Sequence, residues 1–321
     1  MDNTSVTTFI MAAYAVMENY KYVQFAIFLL LYFVIITLNV QLIAIIYRHK
    51  ELHQPMNAFP CILSINAIYG STALLPATLI MLTSKTFEVN VKWCLAQVYF
   101  LHTYAAIEFC VLAVMGYDRY VAICYPLHYH SIMSVSRVGR LVVLVCLYPV
   151  IVFLLYFSLT LQLKFCGAVI QKLYCVNIEV VKNSCSGAPY ISIVGLALIM
   201  IFIVPQLLMI LFSYIQILRV CKQLPKGSQV KALKTCIPHL LTLANYTVGS
   251  LFEIFQSRFD MSHVIPEARI FMSLYFVIIP SVVNPVLYGL GTQLIRVHYV
   301  KLFLGIKAGT RKEERQRLQL K

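Results

Sequence analysis

Asp118 and Arg119 stand side by side at the end of an apolar run that begins near Leu95. Opposite charges at a membrane boundary are costly to desolvate unless they pair with each other or with a partner, so the dipeptide suggests a two-state latch. Interfacial snorkelling of one arginine is the plainer alternative for the pair alone. Deeper in the same run lie His102 and Glu108, and Glu253 interrupts a later one. An unpaired carboxylate there is protonated or finds donors, and for Glu108 the candidates are Asn66, Ser64 and Asn284. Glu253 could attract a cationic ligand or form a salt bridge to Arg258 or Lys182. A proton or ion path through Glu108, Glu253 and His102 would suit a transporter, yet neither inverted repeats nor paired broken helices are present. Asn284-Pro285 reads as a hinge, because proline removes a backbone donor in mid-helix and leaves a kink about which rotation is inexpensive. HExxH and GxSxG motifs are absent, so an enzyme is not expected.

The elements that must position these residues are membrane spans. Of 321 residues, 60% are apolar and only 12% charged, and the mean hydropathy is +0.81, whereas soluble domains run at about half apolar and a quarter charged. The net charge of +14 then reads as a polybasic surface facing membrane lipid instead of nucleic acid. A bilayer core about 30 Å thick needs roughly 20 apolar residues per helix. Seven segments meet that length: Val23 to Tyr47, Ala58 to Leu82, Leu95 to Tyr117, Leu141 to Leu163, Tyr190 to Leu218, Thr235 to Gln256 and Arg269 to Leu290. The expected fold is an all-α membrane protein, a seven-transmembrane-helix bundle. Its parts are an outer N-terminus (1–22), a receptor-like helical domain (23–290), and a cytosolic amphipathic helix with a basic tail (291–321). That last helix is read from Leu294, Ile295, Val297, His298, Val300, Lys301 and Leu304, spaced at roughly the helical period after Thr292.

Eighteen of the lysines and arginines fall on one side of this arrangement and eight on the other, which makes the richer side cytosolic and the N-terminus external. Phe9 to Met17 is too short and too acidic at its start for a cleavable signal, so the first span is expected to direct export. The Asn3-Thr4-Ser5 sequon is usable in that orientation. Cys94, Cys166, Cys175 and Cys185 are then external, where disulfides persist. Four cysteines permit three pairings. Cys94 with Cys175 is the first expectation, since it would tie the loop between spans four and five over the bundle mouth, and Cys166 with Cys185 would close a smaller lobe. A metal site would normally bring histidines into this loop, and it has none.

Several motifs occur in order. Pro55-Met56 precedes span two. Span three ends in Met115-Gly116-Tyr117-Asp118-Arg119-Tyr120-Val121-Ala122-Ile123-Cys124-Tyr125-Pro126-Leu127, span six opens with Lys231-Ala232-Leu233-Lys234-Thr235-Cys236 and His239, and span seven ends in Pro280-Ser281-Val282-Val283-Asn284-Pro285-Val286-Leu287-Tyr288. Over essentially its whole length the chain resembles the odorant receptor family of rhodopsin-like, G-protein-coupled receptors. Leu287-Tyr288-Gly289 and the compact loops are similar to fish-type members. The resemblance implies that Arg119, with Asp118 and Tyr120, is a cytosolic lock that releases toward span six near His239 and receives a heterotrimeric G protein. It implies that Tyr214 and Tyr288 swing inward to hold the active state, with Asn284 and Pro285 as the switch, and that signalling runs through adenylyl cyclase. Three departures matter: Ala67, beside Asn66, stands where an acid is usual, so a sodium site at Asn66 and Glu108 is doubtful; Leu38 precedes Asn39 where a glycine is usual; and Ser281 replaces a second proline. No cofactor is expected.

Cys94 and Arg119 are 25 residues apart, which at about 100° and 1.5 Å per residue returns to nearly the same face over roughly 37 Å. Along and beside that face lie Leu101, His102, Ala105, Ala106, Phe109 and Glu108, whose small members leave room for a small molecule. Small residues equally let helices approach, and His102 could be a satisfied core histidine. By resemblance, an odorant cavity here would also take Thr247, Ser250, Leu251 and Ile254 of span six and Val277 of span seven. A non-olfactory chemoreceptor of the same class is the nearest alternative, and a small-solute or proton-coupled transporter a more distant one.

Overall fold

The computed structural model describes residues 6–259, 261, 263–291 and 295–299, without the side chains at 231 and 233–235. Asn3, most of the basic tail, and the side chains of Lys231, Lys234 and Thr235 therefore lie outside the described residues. Seven long helices follow one another: α1 (Lys21–Arg48), α2 (Pro55–Thr83), α3 (Val91–Cys124), α4 (Val135–Leu161), α5 (Pro189–Gln223), α6 (Lys226–Arg258) and α7 (Pro266–Gly291). The expected spans fall inside them except at the end of the fourth, where α4 stops at Leu161, two residues short of the expected Leu163. The helices run past their apolar stretches. At 34 residues, α3 is about 50 Å long at 1.5 Å per residue, well beyond a bilayer core of about 30 Å.

Six of the seven are long and apolar enough to cross a membrane by length and composition; α6 is not among them. Its polar groups explain this. His239, Thr242 and Tyr246 are buried against the bundle, while Ile237, Leu240, Leu241, Val248, Leu251 and Phe255 point outward. The helix is polar inside and apolar outside, which suits a span whose interior face lines a junction. α6 packs most extensively on α7, and α3 runs through the middle against α2, α4, α5 and α6.

Prolines inside α7 leave two backbone carbonyls without their helical donors, and neighbouring helices supply replacements. Pro285 cannot donate to the carbonyl of Ser281, four residues back; Asn39 Nδ2 of α1 donates to it at 2.8 Å. Pro280 likewise frees the carbonyl of Phe276, which accepts from Tyr104 Oη of α3 at 3.3 Å.

The end of the bundle that carries the N-terminus is not all helical. Strand β1 (Thr8–Met11) lies between β2 (Glu88–Asn90) and β3 (Val169–Ile170). It pairs antiparallel with β2, Phe9 opposite Val89, and parallel with β3, Ile10 opposite Val169. The N-terminal segment thus joins the α2–α3 and α4–α5 loops into a small sheet. Phe9 is buried there, edge-on to Phe165 at 5.5 Å. Both expected disulfides are formed, Cys94 to Cys175 and Cys166 to Cys185, with Cα separations of 5.4 and 4.9 Å. The described part of the region after α7 is a helical turn over 295–299, with Ile295 and Tyr299 buried.

Candidate ligand cavity and switch residues

A cavity of about 240 Å³ opens between α3, α4, α5 and α6 beneath the loop that joins α4 to α5. Leu101, His102, Ala105, Ala106 and Phe109 form its α3 wall, and Ser250 and Ile254 part of its α6 wall. The small pair Ala105 and Ala106 leaves space that α5 fills only in part, with Ile199, Phe202 and Ile203 opposite. His102 donates from Nδ1 to the carbonyl of Val98 at 2.8 Å and stacks on Phe153 of α4 at 4.8 Å. Cys175 to Ile178 roof the space, so the Cys94 bridge sets the height of the lid.

Three expected wall residues are elsewhere. Leu251 is 46% exposed on the outward face of α6, and Val277 is fully buried in helix packing. Thr247 does not line the cavity. The inward position belongs to Tyr246, whose hydroxyl donates to the carbonyl of Ala105 at 2.9 Å and whose ring meets Phe109 edge-on at 4.8 Å. One residue is about 100° of helix rotation, so Thr247 is turned away from the face where Tyr246 packs on α3, and neither lines the cavity. The α4 wall, with Pro149, Val152, Phe153 and Tyr156, was not anticipated; no charged residue in that apolar span marked its inner face.

Glu253 is paired at the cavity roof, and with neither Arg258 nor Lys182. Lys172 Nζ of the α4–α5 loop lies 2.5 Å from Oε1, and Tyr174 Oη donates to Oε2 at 2.7 Å. Burial, and then the neighbouring Glu253 charge, push the Tyr174 phenol well above its ordinary value, which keeps it a donor. Lys182 instead binds Glu179 at 2.6 Å.

At the bundle centre Glu108 accepts from Asn66 Nδ2 at 2.7 Å and from Asn284 Nδ2 at 3.0 Å, so α2, α3 and α7 meet on one carboxylate. Ser64 is buried nearby in sequence on α2 but makes no bond to it among the described residues. Toward the other end, Arg119 is paired with Asp118 through Nη2, and Nε donates to the same oxygen at 3.0 Å. Tyr129, in the loop after α3, donates to the second oxygen of Asp118 at 2.8 Å. Tyr120 makes a long contact with Tyr125, 3.4 Å between hydroxyls. His239 of α6 hydrogen-bonds Tyr214 of α5 through Nδ1 and donates from Nε2 to the carbonyl of Leu112 on α3 at 3.0 Å. Tyr288 is buried, with its hydroxyl 3.9 Å from the sulfur of Met115. Arg119 is thus held to its own helix, while His239 ties α5 and α6 to α3.

A family model described as "Olfactory receptor" matches residues 28–305. Human olfactory receptor 51L1 is 32% identical to this chain over 281 residues, 87% of the chain and 89% of that protein. Human olfactory receptor 52K1 is 32% identical over 273 residues, 83% of the chain and 85% of that protein. Human olfactory receptor 52N1 is 33% identical over 277 residues, 85% and 86% of the two.

Proposed function

The chain belongs to the olfactory receptor family, and from this we propose that it binds a small, mostly apolar odorant in the cavity between α3, α4, α5 and α6 and activates a heterotrimeric G protein at the end that carries Arg119. The observation that carries the reading is the cavity itself. It is walled by alanines, aliphatic and aromatic side chains with a few polar groups, among them His102, Ser250 and Glu253, as small-molecule sites are. Its volume of about 240 Å³ lies below the range of about 300–1,000 Å³ usual for drug-sized ligands, which favours a compact odorant. The carboxylate of Glu253 is already matched by Lys172, and Arg258, which also lines the cavity, adds a cation at its rim.

The mechanism is a population shift. An agonist that binds the open bundle more strongly than the shut one moves the equilibrium by no more than its differential affinity. Opening separates α6 from α3, which requires the His239 bond to the Leu112 carbonyl to break, and it frees Arg119 for the G protein. The excess of basic residues at that end supports placing it in the cytosol with the N-terminus outside, and cyclic AMP is the expected signal. In a cyclic AMP reporter assay, Arg119→Ala should abolish the odorant response while leaving the amount of receptor at the cell surface unchanged. A full response from that variant would overturn the assignment.

A further inference from the structure

Two imidazoles and a carboxylate meet at the Arg119 end of the bundle, away from both the cavity and the latch. His49 follows the last residue of α1, Glu51 lies in the short turn after it, and His298 comes from the helical turn beyond α7, 247 residues from Glu51. His298 Nε2 is 2.7 Å from Glu51 Oε1, and the His49 and His298 rings stack at 3.6 Å. One ligand-capable atom from each of the three lies within 4.8 Å of the others.

We propose that His49, Glu51 and His298 form a binding site for a first-row transition cation, with Zn²⁺ the best fit. Imidazole nitrogen with one carboxylate oxygen is a zinc-type donor set, whereas Ca²⁺ and Mg²⁺ take oxygen ligands. Zinc bonds of about 2.0–2.1 Å put tetrahedral ligand atoms about 3.3 Å apart, so the widest pair needs to close by about 1.5 Å from 4.8 Å. Water would complete the shell, because three protein ligands leave a coordination position open. Both halves of the site are already held by contacts that involve no ligand atom. On one side Leu52 is fully buried, and its carbonyl accepts from Asn57 Nδ2 at 2.8 Å. On the other, Ile295 is buried, and Tyr299 Oη donates to the carbonyl of Leu38 at 3.2 Å. The Tyr299 ring packs so closely on Gly289 that a Cβ there would come within 2.8 Å of it. A cation would therefore find its ligands close at hand, the two stacked rings turning so that their nitrogens converge, and in binding it would staple the segment after α7 to the turn between α1 and α2.

The test uses full-length receptor in lipid nanodiscs, carrying no polyhistidine tag, titrated with Zn²⁺ against a chromophoric chelator. Wild type should bind one equivalent that His298→Ala loses, and His49→Ala and Glu51→Gln should bind it at least about 10-fold more weakly. His53→Ala, a neighbouring histidine whose Nε2 faces the Tyr47 carbonyl at 2.9 Å, should match wild type. Unchanged stoichiometry and affinity in all three ligand variants would overturn the site. Should His298→Ala fail to assemble, His298→Cys carries the same question. With Co²⁺ as the probe, a thiolate ligand adds a near-ultraviolet charge-transfer band absent from wild type, and its absence would overturn the proposal equally.

Discussion

Glu108 joins three helices through two amide donors, so its removal should be felt on both sides. Glu108→Ala strands two buried amides at about 1–3 kcal/mol each, and we expect a clear fall in melting temperature. Glu108→Gln should cost much less. Asn284 Oδ1 is buried without a protein partner, and turning that amide lets it accept from the new glutamine. Equal melting of the two variants would contradict this account. At the cavity, Ala106→Leu should fill the space between α3 and α5, weakening the odorant response by at least about tenfold, equivalent to about 1.4 kcal/mol, with little change in melting. A dose–response series on cells with matched surface expression measures it. The partners of Glu108 were legible in the sequence because few polar residues share its depth. The partner of Glu253 was not: Lys172 is 81 residues away, on a loop whose path is fixed by a disulfide and a strand. Tyr246, packed on Ala105 and Phe109, was missed because nothing in its span marks which face meets α3.

Helix α7 is held together where its own hydrogen bonds fail. The Ser281 carbonyl freed by Pro285 is served by Asn39, and the Phe276 carbonyl freed by Pro280 is served by Tyr104. This makes a double-mutant cycle decisive. Tyr104→Phe should lower stability by about 1 kcal/mol or more, as for a buried acceptor left unmade. In a Pro280→Ala background, where the helix can supply its own donor, most of that loss should vanish. Additive effects in thermal melting would show that the bond is incidental. At this scale hydropathy was enough to find the helices, since each crosses an apolar core of fixed thickness. It was weakest for α6, whose buried His239, Thr242 and Tyr246 are the reason it serves as a junction. Strands of four, three and two residues leave no periodicity to detect, and their pairing depends on loops brought together by the bundle.

Across the molecule, the two disulfides do different work. Cys94–Cys175 ties the roof to α3, where Gln97 Oε1 also accepts from the Cys175 backbone at 2.9 Å; Cys166–Cys185 closes a lobe within one loop. Replacing Cys94 and Cys175 by serine should cost about 2–4 kcal/mol and abolish the odorant response. Replacing Cys166 and Cys185 should cost less and leave a weakened response, with melting and reporter assays giving the comparison. A larger loss from the second pair would mean that the lobe, not the tie to α3, holds the roof. The bundle and both bridges followed from span lengths and cysteine placement, but the sheet that ties the amino end into the same roof had no such signature. That sheet also sets a timetable for biosynthesis. β1 is made before both of its partners, and the second of them ends at Ile170. At about 5–20 residues per second, that partner emerges roughly 10–30 s after β1. Until β2 follows, the newborn chain carries an apolar ribbon with both edges open, and one edge stays open until Ile170 is made.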